Sequence, residues 1–299
     1  MLDFSKIKTY SIRDRQNKFK ISDMIPLDHE TKIDNASLSL IADDMIRANS
    51  RNRKNMIMLG GAVIKVGCSD ILIDLMKRGY INHIAVNGAV SIHDFEVALI
   101  GETSEDVERG LEDGTFGMVD ETGRYINEAI SAGYKQGKGY GISVGEKIGQ
   151  LALPFKDNSI LYQAYRLKIP LTVHVAIGGD IIHQHPTCDG AILGGASFLD
   201  FKVLTETVSQ LTDGVLLNIG SAVNLPEVFL KALTIARNLK YDVRRFTTAN
   251  FDFLDMYRPR TRLLEWPKRL ECKTYDIRGN HNKTVPTLHR LVLGRADTE

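Results

Sequence analysis

Short apolar runs alternate with amphipathic segments along almost the whole chain, and few folds accommodate such an alternation. Residues 56–63 and 169–177 are apolar on both faces, as strands buried between two layers are. An amphipathic stretch at 71–78 separates the first run from a second apolar run at 81–89, which predicts a βαβ unit. The sequence therefore predicts one doubly wound α/β domain over residues 1–299, with a mostly parallel sheet and helices on both faces.

Composition excludes several classes of protein. With 299 residues the chain can bury a core that needs no disulfide or structural metal. Its 38 Lys and Arg residues balance 37 Asp and Glu residues, so no overall field attracts nucleic acid or an anionic membrane. The three cysteines are far apart and form no CxxC motif, which argues for a reducing compartment. A charged start and the lack of an apolar run of ~20 residues predict a cytoplasmic protein without a membrane span.

Two segments lie outside the alternation. Residues 1–50 predict an N-terminal arm and a helix that pack on the body or on another subunit. Residues 101–150 are rich in glycine and acidic residues, which is typical of an insertion that acts as a lid or a subunit contact.

Glycines follow the first predicted strand and precede a helix. Gly60, Gly61 and Gly67 would let the backbone approach a phosphate closely, and the helix would present free N–H groups to it. The spacing is not that of the GxGxxG fingerprint, so plain packing of strand against helix remains an alternative.

Three histidines cluster around the end of the apolar run 169–177. His174 lies within the run, and His183 and His185 lie beyond a Gly-Gly-Asp turn that ends at Asp180. Histidine suits proton transfer at neutral pH because its ordinary pKa is ~6.5. Two alternatives remain. The Gly-Gly-Asp segment is only a turn, or His183 and His185 bind a metal that Asp180, Asp189 or His174 completes.

Four segments, in order along roughly residues 56–290, are similar to one known family. They are 60–99 (GGAVIKVGCSDILIDLMKRGYINHIAVNGAVSIHDFEVAL), 159–180 (SILYQAYRLKIPLTVHVAIGGD), 214–223 (GVLLNIGSAV) and 247–253 (TTANFDF). They resemble deoxyhypusine synthase, in which the first of them holds NAD. The resemblance implies a Rossmann-type NAD-binding fold and a homotetramer with sites at its subunit interfaces.

The resemblance and the polar residues at the strand ends together predict roles for individual residues, with Lys268 carried over from the resemblance. The expected cofactor contacts are Gly60, Gly61, Gly67, Asn87, Gly88, His93, Asp94, Asp180, Gly220 and Ser221. The expected catalytic residues are His174, His183, His185 and Lys268. Lys268 follows Phe251-Asp252 at about the distance of the family's imine-forming lysine, and the alternative is a solvated lysine on a basic loop.

Departures from the family predict a different substrate. The family's Glu-Asp pair is His93-Asp94 here, and acidic residues that would neutralise a polyamine are not evident around the histidines. A neutral or anionic small molecule is therefore expected, with a carboxylate or phosphate held by Arg258, Arg260 or Arg262. The expected function is an NAD-dependent transferase or oxidoreductase. The alternatives are a metal-dependent enzyme and a non-catalytic nucleotide-binding protein.

Overall fold

Eight strands and twelve helices make up the chain from residue 2 to residue 296, which are the residues that the structure, a computed structural model, describes. The strands are β1 (Asn17–Lys20), β2 (Asn55–Leu59), β3 (His83–Asn87), β4 (Glu102–Glu105), β5 (Leu171–His174), β6 (Val215–Ile219), β7 (Thr247–Asp252) and β8 (Lys273–Arg278). The helices are α1 (Ala36–Ser50), α2 (Ala62–Lys65), α3 (Ser69–Lys77), α4 (Gly88–Ile100), α5 (Val107–Asp113), α6 (Asp120–Tyr134), α7 (Tyr140–Gln150), α8 (Ile160–Leu167), α9 (Gly190–Ser209), α10 (Asn224–Asn238), α11 (Tyr257–Pro259) and α12 (His281–Ala296).

Six strands form one parallel sheet in the order β5-β3-β2-β6-β7-β8. Counted along the chain within this sheet, the order is 3-2-1-4-5-6, which is the order of a Rossmann fold. The prediction of a doubly wound α/β sheet is confirmed. In such sheets the crevice that takes a ligand lies outside the carboxyl ends of the strands, where the strand order reverses. Here that switch point falls between β2 and β6.

Burial on both faces explains why the central strands are mostly apolar. Ile57 and Leu59 of β2 point into one hydrophobic core, and Met56 and Met58 point into the other, together with Phe229 of α10. A parallel sheet needs helices on both faces because its crossovers place them there. Within residues 2–296 no helix combines the length and apolar character needed to cross a bilayer.

The N-terminal arm packs on the insertion of the same chain. β1 pairs with β4 in antiparallel fashion, with Phe19 opposite Thr103. The Glu121 carboxylate of α6 accepts hydrogen bonds from the Ser11 hydroxyl and the Ile12 N–H, both at 2.8 Å. A lid or subunit-contact role for the insertion stays a prediction.

Several elements differ in extent from the sequence-based expectation. The residue pattern predicts a helix from about Leu199 to Leu211, but α9 starts at Gly190 because the Asp189 carboxylate accepts the N–H groups of Ala191 and Ile192. The pattern also predicts a strand at 243–249, where β7 runs instead from Thr247 to Asp252. β1, β4 and β8 were not expected, since they are short or rich in polar residues.

Replacing Gly60 by alanine is expected to destabilise the fold. A Cβ atom at Gly60 would lie 1.9 Å from the Gly220 carbonyl oxygen, so the β2 and β6 loops would have to separate. Overpacking of this kind costs about 1–3 kcal/mol, which urea denaturation would measure. Gly190→Ala is the matched control, because no heavy atom lies within 4 Å of its Cβ position. Equal stability of the two variants would contradict the close packing.

Candidate active site

Two glycine-containing loops meet at the switch point between β2 and β6. The Gly60 N–H donates to the Ile219 carbonyl at 2.9 Å, which continues the sheet beyond the end of β2. Gly220 adopts a φ of +70°, a left-handed conformation that glycine enters without strain. Gly61 faces Ala89 of α4, and a Cβ at Gly61 would lie 3.0 Å from the Ala89 Cβ. The two loops thus form a small-residue surface at the place where Rossmann folds bind ligands.

His281 reaches the same switch point from the start of α12. Its side chain is buried, and its Nε2 lies 2.8 Å from the position of a Cβ on Gly220. Burial lowers the pKa of His281, against the opposing effect of the Asp252 carboxylate at the end of β7. Its Nδ1 has no hydrogen-bond partner. The sequence pattern does not reveal this residue, because β8, the strand that delivers it to the carboxyl edge, is mostly polar.

Asp180 lies in the loop after β5, against the start of α4. A Cβ at Gly88 would lie 2.0 Å from the Asp180 Oδ2, so only glycine leaves room for the carboxylate there. The Asp180 side chain is 13% exposed, and burial raises its pKa to about 6. The loop therefore places a carboxylate just beyond the end of β3.

His183 has a fixed tautomer. Its Nδ1 accepts the N–H groups of Gly178 and Asp180, each at 3.1 Å. Burial lowers the pKa of His183, so the ring is neutral near pH 7 and carries its proton on Nε2. The Nε2 lies 3.7 Å from the Asp180 Oδ2, which is too far for a hydrogen bond, and it has no other hydrogen-bond partner. His183 can therefore donate a hydrogen bond but cannot easily act as a base.

A cavity of about 190 Å³, here called the α4 cavity, opens beside Asp180. Its apolar walls come from four elements and its polar groups carry both signs of charge. The lining residues are Arg15, Lys65, Ala89, Ile92, His93, Glu96, Ser104, Glu105, Val107, Phe116, Gly179, Asp180 and Ile181. A second space of about 380 Å³ shares Asp180 with it and is also lined by His183, Gly178 and Phe4.

A buried ion pair forms one wall of the α4 cavity. The Arg15 guanidinium lies 2.7 Å from the Glu96 carboxylate and 3.8 Å from that of Glu105, and all three side chains are at most 9% exposed. Burial disfavours the charged guanidinium, but Glu96 outweighs it and raises the pKa of Arg15. Thr103 and Thr122 donate to the same Glu96 carboxylate at 2.5 and 2.8 Å. The ion pair thereby fastens the N-terminal arm to α4.

His93 belongs to the same network. Its Nδ1 lies 2.8 Å from the Thr103 hydroxyl, and burial lowers its pKa to about 4. His93 is therefore neutral near pH 7 and lines the α4 cavity as a polar, uncharged group.

Two of the expected catalytic histidines are not part of either space. His174 is buried at the end of β5, where its Nε2 lies 3.0 Å from the Thr172 hydroxyl that His83 also contacts. His185 is buried with its Nε2 2.8 Å from the Gly117 carbonyl. In the chain from residue 2 to residue 296, no group of three or more His, Cys, Asp and Glu side chains is placed to hold a metal ion. The described residues therefore do not bring His183, His185 and a third ligand together, as the alternative of a metal site requires.

Three other expected site residues also lie elsewhere. A Cβ at Gly67 would collide with the Asp23 carbonyl at 2.4 Å, so Gly67 packs against the arm. The Asp94 carboxylate is buried and accepts the N–H groups of Ile160 and Leu161 at the start of α8. Lys268 is exposed in the turn Trp266–Leu270, which pairs with Arg245 before β7 and so lies at the amino edge of the sheet.

Asn87 and the arginines after β7 already have partners. The Asn87 side chain accepts the Val90 N–H and so begins α4. Arg258 and Arg262 pair with Glu227 at 3.3 and 2.9 Å. Arg260 pairs with Asp255 at 2.7 Å. Several of the expected site residues do lie together at the carboxyl edge, and His93 lies in the neighbouring cavity wall. Those at the edge are Gly60, Gly61, Gly88, Asp180, His183, Gly220 and Ser221.

Comparison with known proteins supports the fold and points to another family. The model of the C-terminal, Rossmann-fold domain of ArgZ-like arginine dihydrolases matches residues 39–136, about a third of the chain. A putative LOR/SDH protein from Methanococcus maripaludis S2 is 17% identical with a TM-score of 0.56, over 93% of this chain and 73% of that one. No curated protein sequence matches this chain.

Two further solved structures are similar to this chain, one of an arginine dihydrolase and one of a complex that contains a dinucleotide. ArgZ, an arginine dihydrolase from the ornithine-ammonia cycle in cyanobacteria, is 16% identical with a TM-score of 0.54, over 88% of this chain and 33% of that one. AgrE, in a ternary complex with ornithine and NAD⁺, is 11% identical with a TM-score of 0.58, over 98% of this chain and 35% of that one. This chain thus spans about a third of ArgZ and of AgrE, and identities this low establish the fold alone.

The resemblance to deoxyhypusine synthase is wrong. The matching family model and the matching structures are ArgZ-like, LOR/SDH and AgrE proteins, and the function inferred from deoxyhypusine synthase is wrong with it. Each segment that carried the resemblance contains a strand and its carboxyl end, where glycine and small polar residues recur in many Rossmann folds. The tetramer that the resemblance implied remains untested.

Replacing Arg15 by leucine is expected to lower the free energy of unfolding by about 3–5 kcal/mol. The change leaves the buried Glu96 and Glu105 carboxylates without their cation. Urea denaturation would measure the loss. Arg13→Leu, on an exposed residue of the same arm, should change stability by less than about 0.5 kcal/mol. A loss below about 1 kcal/mol for Arg15→Leu would contradict the role of the ion pair.

His174 is expected to make the folded protein less stable as the pH is lowered below neutral. Burial lowers its pKa from 6.5 to about 3, so the unfolded chain takes up a proton below pH 6.5 that the folded chain refuses. Between pH 6.5 and 5 this destabilises the fold by about 2 kcal/mol. The variant His174→Gln, whose amide replaces Nε2, should lose that part of the pH dependence in urea denaturation near pH 7 and pH 5. An unchanged pH dependence would show that His174 protonates freely when folded.

Proposed function

We propose that this chain is the NAD-binding domain of an enzyme that acts on a small amino acid. The observation that carries the proposal is the switch point, where the Gly60 and Gly220 loops meet at the centre of a 3-2-1-4-5-6 sheet. Rossmann sheets with this order bind dinucleotides across that crevice. AgrE, whose structure holds NAD⁺ and ornithine, aligns with 98% of this chain.

The residues at the carboxyl edge suit a dinucleotide. Gly60, Gly61 and Gly220 add no Cβ atoms of their own to the two loops, so a ligand at this edge would meet backbone N–H and carbonyl groups. Two buried polar atoms there have no partner within the described chain, the His183 Nε2 and the His281 Nδ1. Buried polar groups in native proteins are nearly always hydrogen-bonded, so these two atoms are natural contacts for a ligand or ordered water. When bound, NAD would accept or return a hydride at a carbon of the substrate.

The amino-acid substrate class is inferred from the related proteins. ArgZ is an arginine dihydrolase, and the AgrE structure contains ornithine. His281 is the residue of this chain best placed to meet such a substrate, because it lies at the switch point between Gly220 and Asp252. Its neutral ring can give or take one proton there.

NAD is expected to bind the purified protein and to stabilise it. At a concentration about 100 times its dissociation constant, NAD should raise the free energy of unfolding by about 2.7 kcal/mol. Calorimetric titration and thermal unfolding would measure both effects, first with NAD alone and then with added ornithine or arginine. Absence of binding by both NAD and NADP would overturn the proposal. Binding of NAD without any effect of these amino acids would contradict the proposed substrate class, while the proposal of an NAD-binding domain would stand.

A pair of surface variants tests whether NAD binds at the carboxyl edge. Val223 is 49% exposed, two residues beyond Ser221, and Val223→Trp should obstruct the crevice and weaken NAD binding about tenfold or more. Leu239 is 63% exposed just after α10, at the opposite edge of the sheet, so Leu239→Trp should have no effect. Equal affinities in the two variants would place the dinucleotide elsewhere.

A further inference from the structure

We infer that Asp180 and His183 together bind a ribose hydroxyl of the dinucleotide and make this protein select NAD over NADP. The inference rests on the proposed function and deepens it, because it assigns the cofactor preference to two residues of the loop after β5. NAD and NADP differ only in the adenosine ribose, where NADP carries a 2′-phosphate in place of a hydroxyl.

The end of β3 is where Rossmann folds recognise this ribose, usually through an acidic side chain. Here the strand ends in Asn87, an uncharged residue whose side chain is engaged with the Val90 N–H. The nearest carboxylate is that of Asp180, which comes from a different strand and lies against Gly88, the residue after Asn87. The loop after β5 thus supplies the carboxylate that, in other Rossmann folds, usually comes from the end of the strand equivalent to β3.

The His183 side chain has an unused hydrogen-bond donor close to the Asp180 carboxylate. The His183 side chain is 5% exposed, and its Nε2–H has no partner although the Asp180 carboxylate is 3.7 Å away. Two backbone N–H groups fix Nδ1 as an acceptor, so the proton on Nε2 is held in place. One hydroxyl group can bridge this separation, by accepting from Nε2 and donating to the carboxylate.

Charges around the α4 cavity favour a hydroxyl over a phosphate. The cavity is lined by the carboxylates Glu96, Glu105 and Asp180 and by the cations Arg15 and Lys65. Arg15 is already engaged by both glutamates, which leaves Asp180 and Lys65 as the opposing charges. A phosphate beside Asp180 would meet like charge in a partly buried setting, which is strongly unfavourable. The apolar walls of the cavity, such as Ile92 and Phe116, suit the flat face of an adenine ring.

The test compares the dissociation constants of NAD and NADP by calorimetry in the wild type and in Asp180→Asn. The wild type should prefer NAD by at least about tenfold, and Asp180→Asn should bring the ratio close to one, chiefly by improving NADP binding. Asparagine keeps the size of the side chain against Gly88, and a thermal unfolding curve checks that the variant folds. Asp180→Ser is the second variant if it does not.

Two further variants separate the contributions. His183→Asn retains an acceptor near the place of Nδ1 but removes the Nε2–H, and it should weaken NAD binding about 3- to 10-fold. Asp189→Asn makes the same charge change as Asp180→Asn on an exposed residue of the same loop region, and it still caps α9. It should leave the NAD to NADP ratio unchanged.

Each outcome decides something different. No preference in the wild type, or a ratio that Asp180→Asn leaves unchanged, would overturn the inference while NAD binding still stands. A preference for NADP that Lys65→Ala abolishes would overturn the inference and show that Lys65 binds the 2′-phosphate. Failure of both cofactors to bind the wild type would overturn the proposed function and the inference with it.

Discussion

Two-sided burial of a parallel sheet is the constraint on which this molecule depends. Every residue of β2, β6 and β7 is buried, so their backbone groups must be satisfied by neighbouring strands and their side chains by helices above and below. Polar groups that could meet a ligand are therefore expected at the ends of the strands. At the carboxyl edge the strands end in glycine, serine, aspartate and histidine, and there the two candidate ligand spaces open.

Electrostatics at that edge are organised by burial more than by net charge. The chain is nearly neutral, yet burial keeps His93, His174 and His183 uncharged near pH 7 and raises the pKa of Asp180. In the wall of the α4 cavity, the buried Arg15 guanidinium pairs with the carboxylates of Glu96 and Glu105. A ligand would therefore meet an environment of hydrogen-bonding groups with few free charges, where a single carboxylate has a large influence.

The fold could be predicted from the sequence, and the site only in part. The apolar runs of β2, β3, β5 and β6 reveal a parallel sheet because strands buried on both faces are mostly apolar. β8 could not be predicted because its residues are mostly polar and few of them are buried. The position of His281, which follows β8, could therefore not be predicted either. Gly60, Asp180 and Gly220 were found because strand ends converge at one edge. The roles of His185 and Asp94 could not be foreseen, since a polar residue beside a strand end can equally serve a helix cap or a buried carbonyl.

The recognition of a family from short segments failed for a related physical reason. Small residues after strands are required wherever two loops of a Rossmann sheet approach each other, as Gly60 and Gly220 do here. They are therefore shared by proteins with different chemistries. Residues that distinguish those chemistries, such as the Asp180 and His183 pair, lie in loops whose conformation depends on distant contacts.

The ion pair between Arg15 and Glu96 has a consequence for how the chain assembles. The two residues are 81 positions apart, and β1 must pair with β4 before the guanidinium can reach its partner. Contacts of such long sequence separation are slow to form because the entropy of closing the intervening loop opposes them. The wall of the α4 cavity therefore carries a loop-closure cost of its own, separate from that of the sheet beside it. A molecule in which the arm has come away would keep the edge of the sheet but lose the chamber next to it.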